Sequence, residues 1–326
     1  MTTIERSEVW IRRRPGWAVI ARKEFADHLL SVRFTALLVL LGLVALASVY
    51  AAAGALRDAA PDTAGASGMF LRLFTVRGEP VPFSFLTFVG FLAPILGIAF
   101  GFDAVNGERA QRTLPRLVAQ PIHRDDVING KFVAGLATVA LILGVVTLIV
   151  AGLGIVLLGI TPTAAEVLRL FLWYLVVTMF VGVWLAFATL CSVWMSRAAT
   201  AALVAIGVWL VLALFGAFFA RIAADVISPI DPADPRSALE NVRTELAVAR
   251  LSPVTLYEEA AVALLTPELR SVGLVTLAQL DRAVVSDLPV AQSLLLVWPQ
   301  IVGLVAVTVV IFAAAYVSFM RQEIRA

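Results

Sequence analysis

"GFDAVNGERAQRTLPRLVAQPIHRDDVINGK" occupies residues 101–131 and carries nine formally charged side chains and one of the chain's two histidines. On either side lie uncharged stretches, residues 80–102 before Asp103 and 132–165 after Lys131. Each is long enough to cross a bilayer, which takes roughly 20 apolar residues of helix. Two such stretches joined by a charged loop imply a chain that leaves the membrane and turns back into it. Uncharged windows recur at 34–56, 170–196, 198–220 and 288–320, making six in all. The windows 132–165 and 288–320 exceed one bilayer width, so each is expected to hold a tilted helix with an interfacial end. Lipid satisfies no backbone polar group, so helix is the expected form of every span.

Composition points the same way. The 326 residues are 61% apolar and 15% charged, and their mean hydropathy is +0.95. A soluble domain carries about 25% charged residues. The formal charge of +2 is too small to argue for a nucleic-acid partner. The single cysteine, Cys191, excludes an intramolecular disulfide and reads as a small buried residue. The expectation is an all-α polytopic membrane protein with six transmembrane helices, an N-terminal interfacial helix, and a small helical extracytoplasmic cap between the fifth and sixth spans.

Lysine and arginine set the orientation, because cytoplasmic loops collect them. The N-terminal 33 residues, the 103–131 loop, Arg197 and the C-terminal tail together hold 15, against ten on the other side. Both termini and the 103–131 loop are therefore expected in the cytoplasm, and the protein in the cell membrane. "YAAAG" at 50–54 resembles a signal-peptidase site, but the basic region before it is longer than a signal's, so an uncleaved first span is expected.

Four regions follow: a cytoplasmic N-terminus (1–33), spans one to five with the loop 103–131 (34–220), an extracytoplasmic helical segment (221–287), and the sixth span with its tail (288–326). Within the first, "WAVIARKEFADHLLSV" (17–32) puts Trp17, Ile20, Ala21, Phe25, Leu29 and Val32 near one helical face. That is an amphipathic helix for the membrane interface, with Lys23 and Glu24 beside Phe25, or else an extension of the first span. In 221–287, Ser252-Pro253 and Thr266-Pro267 each have the pattern of an N-cap followed by a first-turn proline. The segment is a surface for an extracytoplasmic partner or a cover on the bundle.

No G-x-x-x-x-G-K-[ST] phosphate loop occurs; "NGKFV" (129–133) lacks its spacing and hydroxyl. No metal-ligand spacing emerges from two histidines, one cysteine and five methionines. The spans hold almost no ionisable group, which argues against a proton-coupled pump, a cation channel and an intramembrane carboxylate protease. Ser84, Thr87, Thr147, Tyr174, Thr178 and Gln300 read as helix–helix glue. Gly97-x-x-x-Gly101 permits close helix approach, within one chain or between two. Pro94 and Pro299 are expected to kink their helices, statically or as part of gating.

The loop itself has internal order. Leu114, Leu117 and Val118 form an apolar stripe after Arg112-Thr113, Pro121 breaks the chain, and Asp125 or Asp126 is placed to cap a helix running into the third span. A short amphipathic helix of this kind fits a groove on a partner.

"FDAVNGERAQRTLPRLVAQPIHRDDVINGK" (102–131) resembles the cytoplasmic signature of exporter-type ABC-transporter permeases, including relatives of the nitrous-oxide-reductase maturation permease. The matching residues are Asp103, Glu108-Arg109, Thr113-Leu114, Leu117, Pro121-Ile122, Arg124 and Gly130-Lys131; Arg112 stands where glycine is usual. "ARKEFADHLLSVRF" (21–34) resembles the family's entry helix, and "LSPVTLYEEA" (251–260) its Pro-x-x-x-Tyr segment before the last span. The resemblance implies a permease with no catalytic site or cofactor of its own. Its ATP and Mg would sit on a separate ABC ATP-binding subunit, and a second permease chain, identical or homologous, would complete the membrane part. The 112–124 helix would transmit closure of the ATPase dimer, with Glu108 and Arg109 at its base. Export, service to nitrous-oxide-reductase copper-site maturation, and a membrane scaffold or sensor without transport remain the readings to separate.

Overall fold

The computed structural model describes residues 15–58, 68–81, 83–110, 123–268 and 288–322. Among them the elements are helices alone: α1 Gly16–Leu29, α2 Val32–Asp58, α3 Met69–Thr75, α4 Phe85–Gly101, α5 Asn106–Ala110, α6 Arg124–Leu158, α7 Ala164–Trp194, α8 Ala198–Ile227, α9 Pro235–Ala249, α10 Pro253–Leu265 and α11 Val290–Arg321. Six are long and apolar enough to cross a membrane: α2, α4 (counted through α5), α6, α7, α8 and α11. These six coincide with the six uncharged windows, and the chain is a multi-pass membrane protein.

Local chemistry sets the helix ends. Thr163 and Glu166 form a capping box on α7: the Thr163 hydroxyl accepts from the Glu166 amide at 3.3 Å, and the Glu166 carboxylate accepts from the Thr163 amide at 2.8 Å. Gly159 ends α6 in the left-handed region at φ 65°, which glycine adopts without a Cβ clash. Ser252 caps α10 and Pro253 takes its first turn, as the sequence indicates. The corresponding expectation for Pro267 runs into residues 269–287, outside the described residues. α4 and α11 run on through Pro94 and Pro299 as continuous helices.

α7 is the central element and touches α4, α6, α8, α10 and α11. Over its most apolar stretch 56% of residues are buried, against 11% for α8 and for α11, whose outer faces are left to lipid or a partner. α4 lies against α7 through small residues. A Cβ built on Gly97 would stand 2.6 Å from the Val181 carbonyl oxygen, and one on Gly101 2.8 Å from that of Leu185. Of the two uses open to this glycine pair, the fold thus employs it for packing within one chain.

The segment between the fifth and sixth spans folds into two described helices. α9 lies back along α8, tied by Asn241 to the Asp225 carboxylate at 3.0 Å and to the Ser228 carbonyl at 2.9 Å. α10 packs among α3, α4, α7 and α11. Tyr257 on α10 is wholly buried, stacks on Phe180 with centroids 4.5 Å apart, and accepts a hydrogen bond from the Trp173 indole at 3.3 Å. Phe74 and Phe85 complete this aromatic core around Trp173. Arg169, 3% exposed, donates to the carbonyls of Leu264 and Leu288 and to the Ser293 hydroxyl, which fastens the end of α10 and the start of α11 to α7.

The expected polar glue between helices takes two forms. Thr147 and Thr178 bond carbonyls of their own helices, at Leu143 and Tyr174, so these bonds stay within one helix. Tyr174 reaches the Ala140 carbonyl of α6 at 3.0 Å, and Gln300 reaches Glu259 of α10 at 2.8 Å.

Candidate functional site

The polar contacts around the 103–131 loop gather at the end of the bundle where α1, α5, the start of α6 and the ends of α7 and α11 meet. α1 lies along the first turns of α6. Its N-terminus has no cap of its own; the Trp17 amide donates to the Asp126 carboxylate at 2.9 Å. This corrects the expectation that Asp125 or Asp126 caps α6. His123 holds that cap position, Asp126 lies in the first turn, and its carboxylate serves α1 instead. An anion at a helix N-terminus is favoured by the unpaired amides there. Gly16 and Gly130 allow the approach: a Cβ on Gly130 would lie 2.7 Å from Ile20.

The buried face of α1 is Ile20, Ala21 and Glu24, while Phe25 is only half-buried and Trp17 is 41% exposed. A carboxylate is tolerated there because Lys131 meets it. The Lys131 ammonium lies 3.1 Å from Glu24 and 3.0 Å from Glu108, with side-chain exposures of 9%, 12% and 16% in that order. One buried cation therefore joins α1, α5 and α6. Lys23 closes the outer rim at 3.3 Å from Glu24 and 3.1 Å from Asp27. Across the same hollow Arg33 of α2 pairs with Asp103 at 2.6 Å and lies over the Phe102 ring at 4.9 Å.

Glu24, Asp27, Arg33, Asp103, Glu108 and Lys131 line a cavity of about 200 Å³ with His28, whose ring meets Phe100 edge-on at 5.0 Å. Burial pushes the His28 imidazole below its ordinary value; Glu24 opposes that shift and Lys131 adds to it. A histidine so lowered contributes stability that is complete above about pH 6.5 and is lost as pH falls through its folded value. The protein is expected to lose thermal stability on acidification below about pH 6.5, and a His28→Leu variant to lose less. Melting followed by tryptophan fluorescence at stepped pH checks this; equal acid slopes for the two proteins would remove His28 as the source.

On the far side of α5, the amides of Val105 and Asn106 both donate to the Ser192 hydroxyl of α7, at 2.9 and 3.2 Å. Arg109 reaches the Val193 carbonyl at 3.3 Å and the side chain of Gln322. Arg124 reaches the Gln322 backbone carbonyl at 3.3 Å. Val105, Ile128, Leu190, Val193, Ala315 and Phe319 form a small apolar core beneath these bonds.

Of the loop residues singled out from the sequence, Glu108, Arg109, Arg124 and Lys131 thus come together at this end of the bundle. Thr113, Leu114, Leu117 and Pro121 lie outside the described residues. Sequence reasoning missed Asp126 as a cap for α1, Ser192 and Gln322. The one readable signal among them was Gln322 beside Arg321 just after the last uncharged window, which reads as the start of a tail.

Residues 18–324 match the family described as ABC-2 family transporter protein. The chain is also similar to a probable ABC transporter permease protein NosY of Stutzerimonas stutzeri, with 28% identity over 200 residues. That alignment covers 60% of this chain and 66% of the relative, just under two thirds of the relative's length.

Proposed function

The chain belongs to the ABC-2 family of transporter proteins, and on that footing we propose that it is the permease subunit of an ABC transporter, driven by ATP hydrolysis on a separate ATP-binding chain. The observation that carries this is the convergence of α1, α5, α6, α7 and α11 on the two ends of the segment 111–122, through Glu24, Glu108, Arg109, Arg124, Lys131 and Gln322. A partner that pushes on that segment pushes on contacts shared by five helices. In this reading ATP and Mg reside on the partner, a second permease chain completes the membrane part, and both termini and the loop face the cytoplasm. The work done is export or an extracytoplasmic process. A narrower reading, service to copper-site maturation of nitrous-oxide reductase, is supported by the resemblance in the polar stretches and by the similarity to a NosY permease.

The test is affinity purification from native membranes in mild detergent, followed by mass spectrometry and an ATPase assay. A stoichiometric ATP-binding subunit is expected with the unsubstituted chain and is expected to be lost with Leu117→Asp. A folded chain that brings down no ATPase would overturn the permease reading and favour a scaffold or sensor.

A further inference from the structure

Gln322 directly follows the last span, and each of its polar groups meets a different element. Its backbone amide closes α11 on the Phe319 carbonyl at 3.3 Å. Its side-chain NH2 donates to the Val193 carbonyl of α7 at 2.8 Å. Its side-chain carbonyl accepts from the Arg109 guanidinium. Its backbone carbonyl accepts from the Arg124 guanidinium at 3.3 Å. Arg109 and Arg124 stand on the two sides of the segment 111–122.

The chemistry suits an amide in particular. Val193 lies in the last turn of α7, where carbonyls have no intrahelical partner and the helix dipole is negative. It therefore takes donors, and it takes two, the Arg109 guanidinium and the Gln322 NH2. Beside it the guanidinium needs an acceptor. Only a side chain that donates and accepts at once completes the square, and glutamine does so without adding charge. A glutamate here would supply the acceptor alone, and a lysine the donor alone beside another cation.

We infer that Gln322 is a positioning residue that clasps the end of the sixth span to both sides of the 111–122 segment and to the end of α7. Movement of α5 or of the start of α6 then passes into α11 directly, through Arg109 and Arg124. This rests on the permease reading.

The experiment uses the complex with its copurified ATPase subunit in lipid nanodiscs, in a Cys191→Ala background, with spin-labelled chains diluted by unlabelled ones. One label pair, Val317→Cys with Leu203→Cys, reports α11 against α8. A second, Leu141→Cys with Leu203→Cys, reports α6 against α8. All three sites are exposed. Distances are compared without nucleotide and with Mg-ATP trapped by vanadate.

With Gln322→Ala the nucleotide-dependent shift of the α11 pair is expected to fall by more than half, while the α6 pair keeps its shift. Gln322→Glu, which keeps the acceptor for Arg109, is expected to fall between the two and serves if the alanine variant does not fold. A merely structural role would lower the melting temperature and alter both pairs together, which overturns the inference. So does an α11 shift that survives Gln322→Ala unchanged, or an unsubstituted complex in which α11 does not move. Failure of the permease reading looks different: no ATPase subunit accompanies the unsubstituted chain, and the clasp then has nothing to transmit.

Discussion

Gly97→Leu is expected to abolish accumulation of the folded protein, and Gly97→Ala or Gly101→Ala to cost stability at the upper end of the 1–3 kcal/mol range of about that size seen for overpacked cores. The atoms in the way are backbone: the Val181 carbonyl at 2.6 Å and the Leu185 amide at 2.8 Å from the Gly97 position, and the Leu185 carbonyl at 2.8 Å from the Gly101 position. Backbone atoms cannot rotate aside, so α4 and α7 must separate. Separation exposes the Phe74, Phe85 and Trp173 packing that holds α10 and Tyr257. Gly42 and Gly152 are the controls, since a Cβ there meets nothing within 4 Å. Alanine at those positions is expected to stabilise by roughly 0.5 kcal/mol through helix propensity. Yield and thermal melting in detergent of the four alanine variants check this. Equal behaviour of the two groups would mean that α4 and α7 separate at this crossing at no cost.

Lys131→Met carries the second large effect. It removes the cation shared by the Glu24 and Glu108 carboxylates, which keep under a fifth of their exposure, and leaves Glu24 its pairing with Lys23 on the rim. Removing one partner of a fully uncompensated buried pair costs about 3–5 kcal/mol, and Lys23 beside Glu24 puts the expected loss here at or below about 3 kcal/mol. Restoring neutrality is expected to recover most of that loss: the triple variant Lys131→Met, Glu24→Gln, Glu108→Gln should be much closer to the unsubstituted protein than the single variant. Reversible unfolding in mixed micelles, read by tryptophan fluorescence, gives both values. A single variant as stable as the original would show that the remaining surroundings of Glu24 and Glu108 suffice without Lys131. A triple variant no better than the single one would show that Lys131 matters for its stem and not its charge.

The fold was legible because charge is so sparse. Six uncharged windows predict six spans, and α2, α4, α6, α7, α8 and α11 fall on them. The caps were partly legible: Ser252-Pro253 has the pattern of the cap it forms, whereas Thr163-x-x-Glu166, an equally local signal, straddles the edge of the 132–165 window and does not figure in the sequence reading. What remained hidden was set by tertiary contact. Asp126 looks like a cap for the helix it begins, and only the approach of α1 gives its carboxylate to Trp17. Arg169 looks like a loop residue at a window's edge, and only α10 and α11 make it a buried node. Tyr257 was noticed as part of a motif, yet nothing local says that its ring stacks on Phe180 inside the bundle.

The spans differ in length. α4 has 17 residues and α6 has 35. At 1.5 Å per residue these rise about 26 and 52 Å, on either side of the roughly 30 Å of a hydrocarbon core. The α4 span makes up the difference by continuing through α5, which brings it to 26 residues, and α3 packs at its N-terminal end with Phe74 edge-on to Phe85. α6, α7, α8 and α11, each of 30 residues or more, exceed the core and must tilt or project. Adaptation to a thinner or thicker bilayer therefore falls first on the periphery, where α8 and α11 are least enclosed, and last on the enclosed α4–α7 seam.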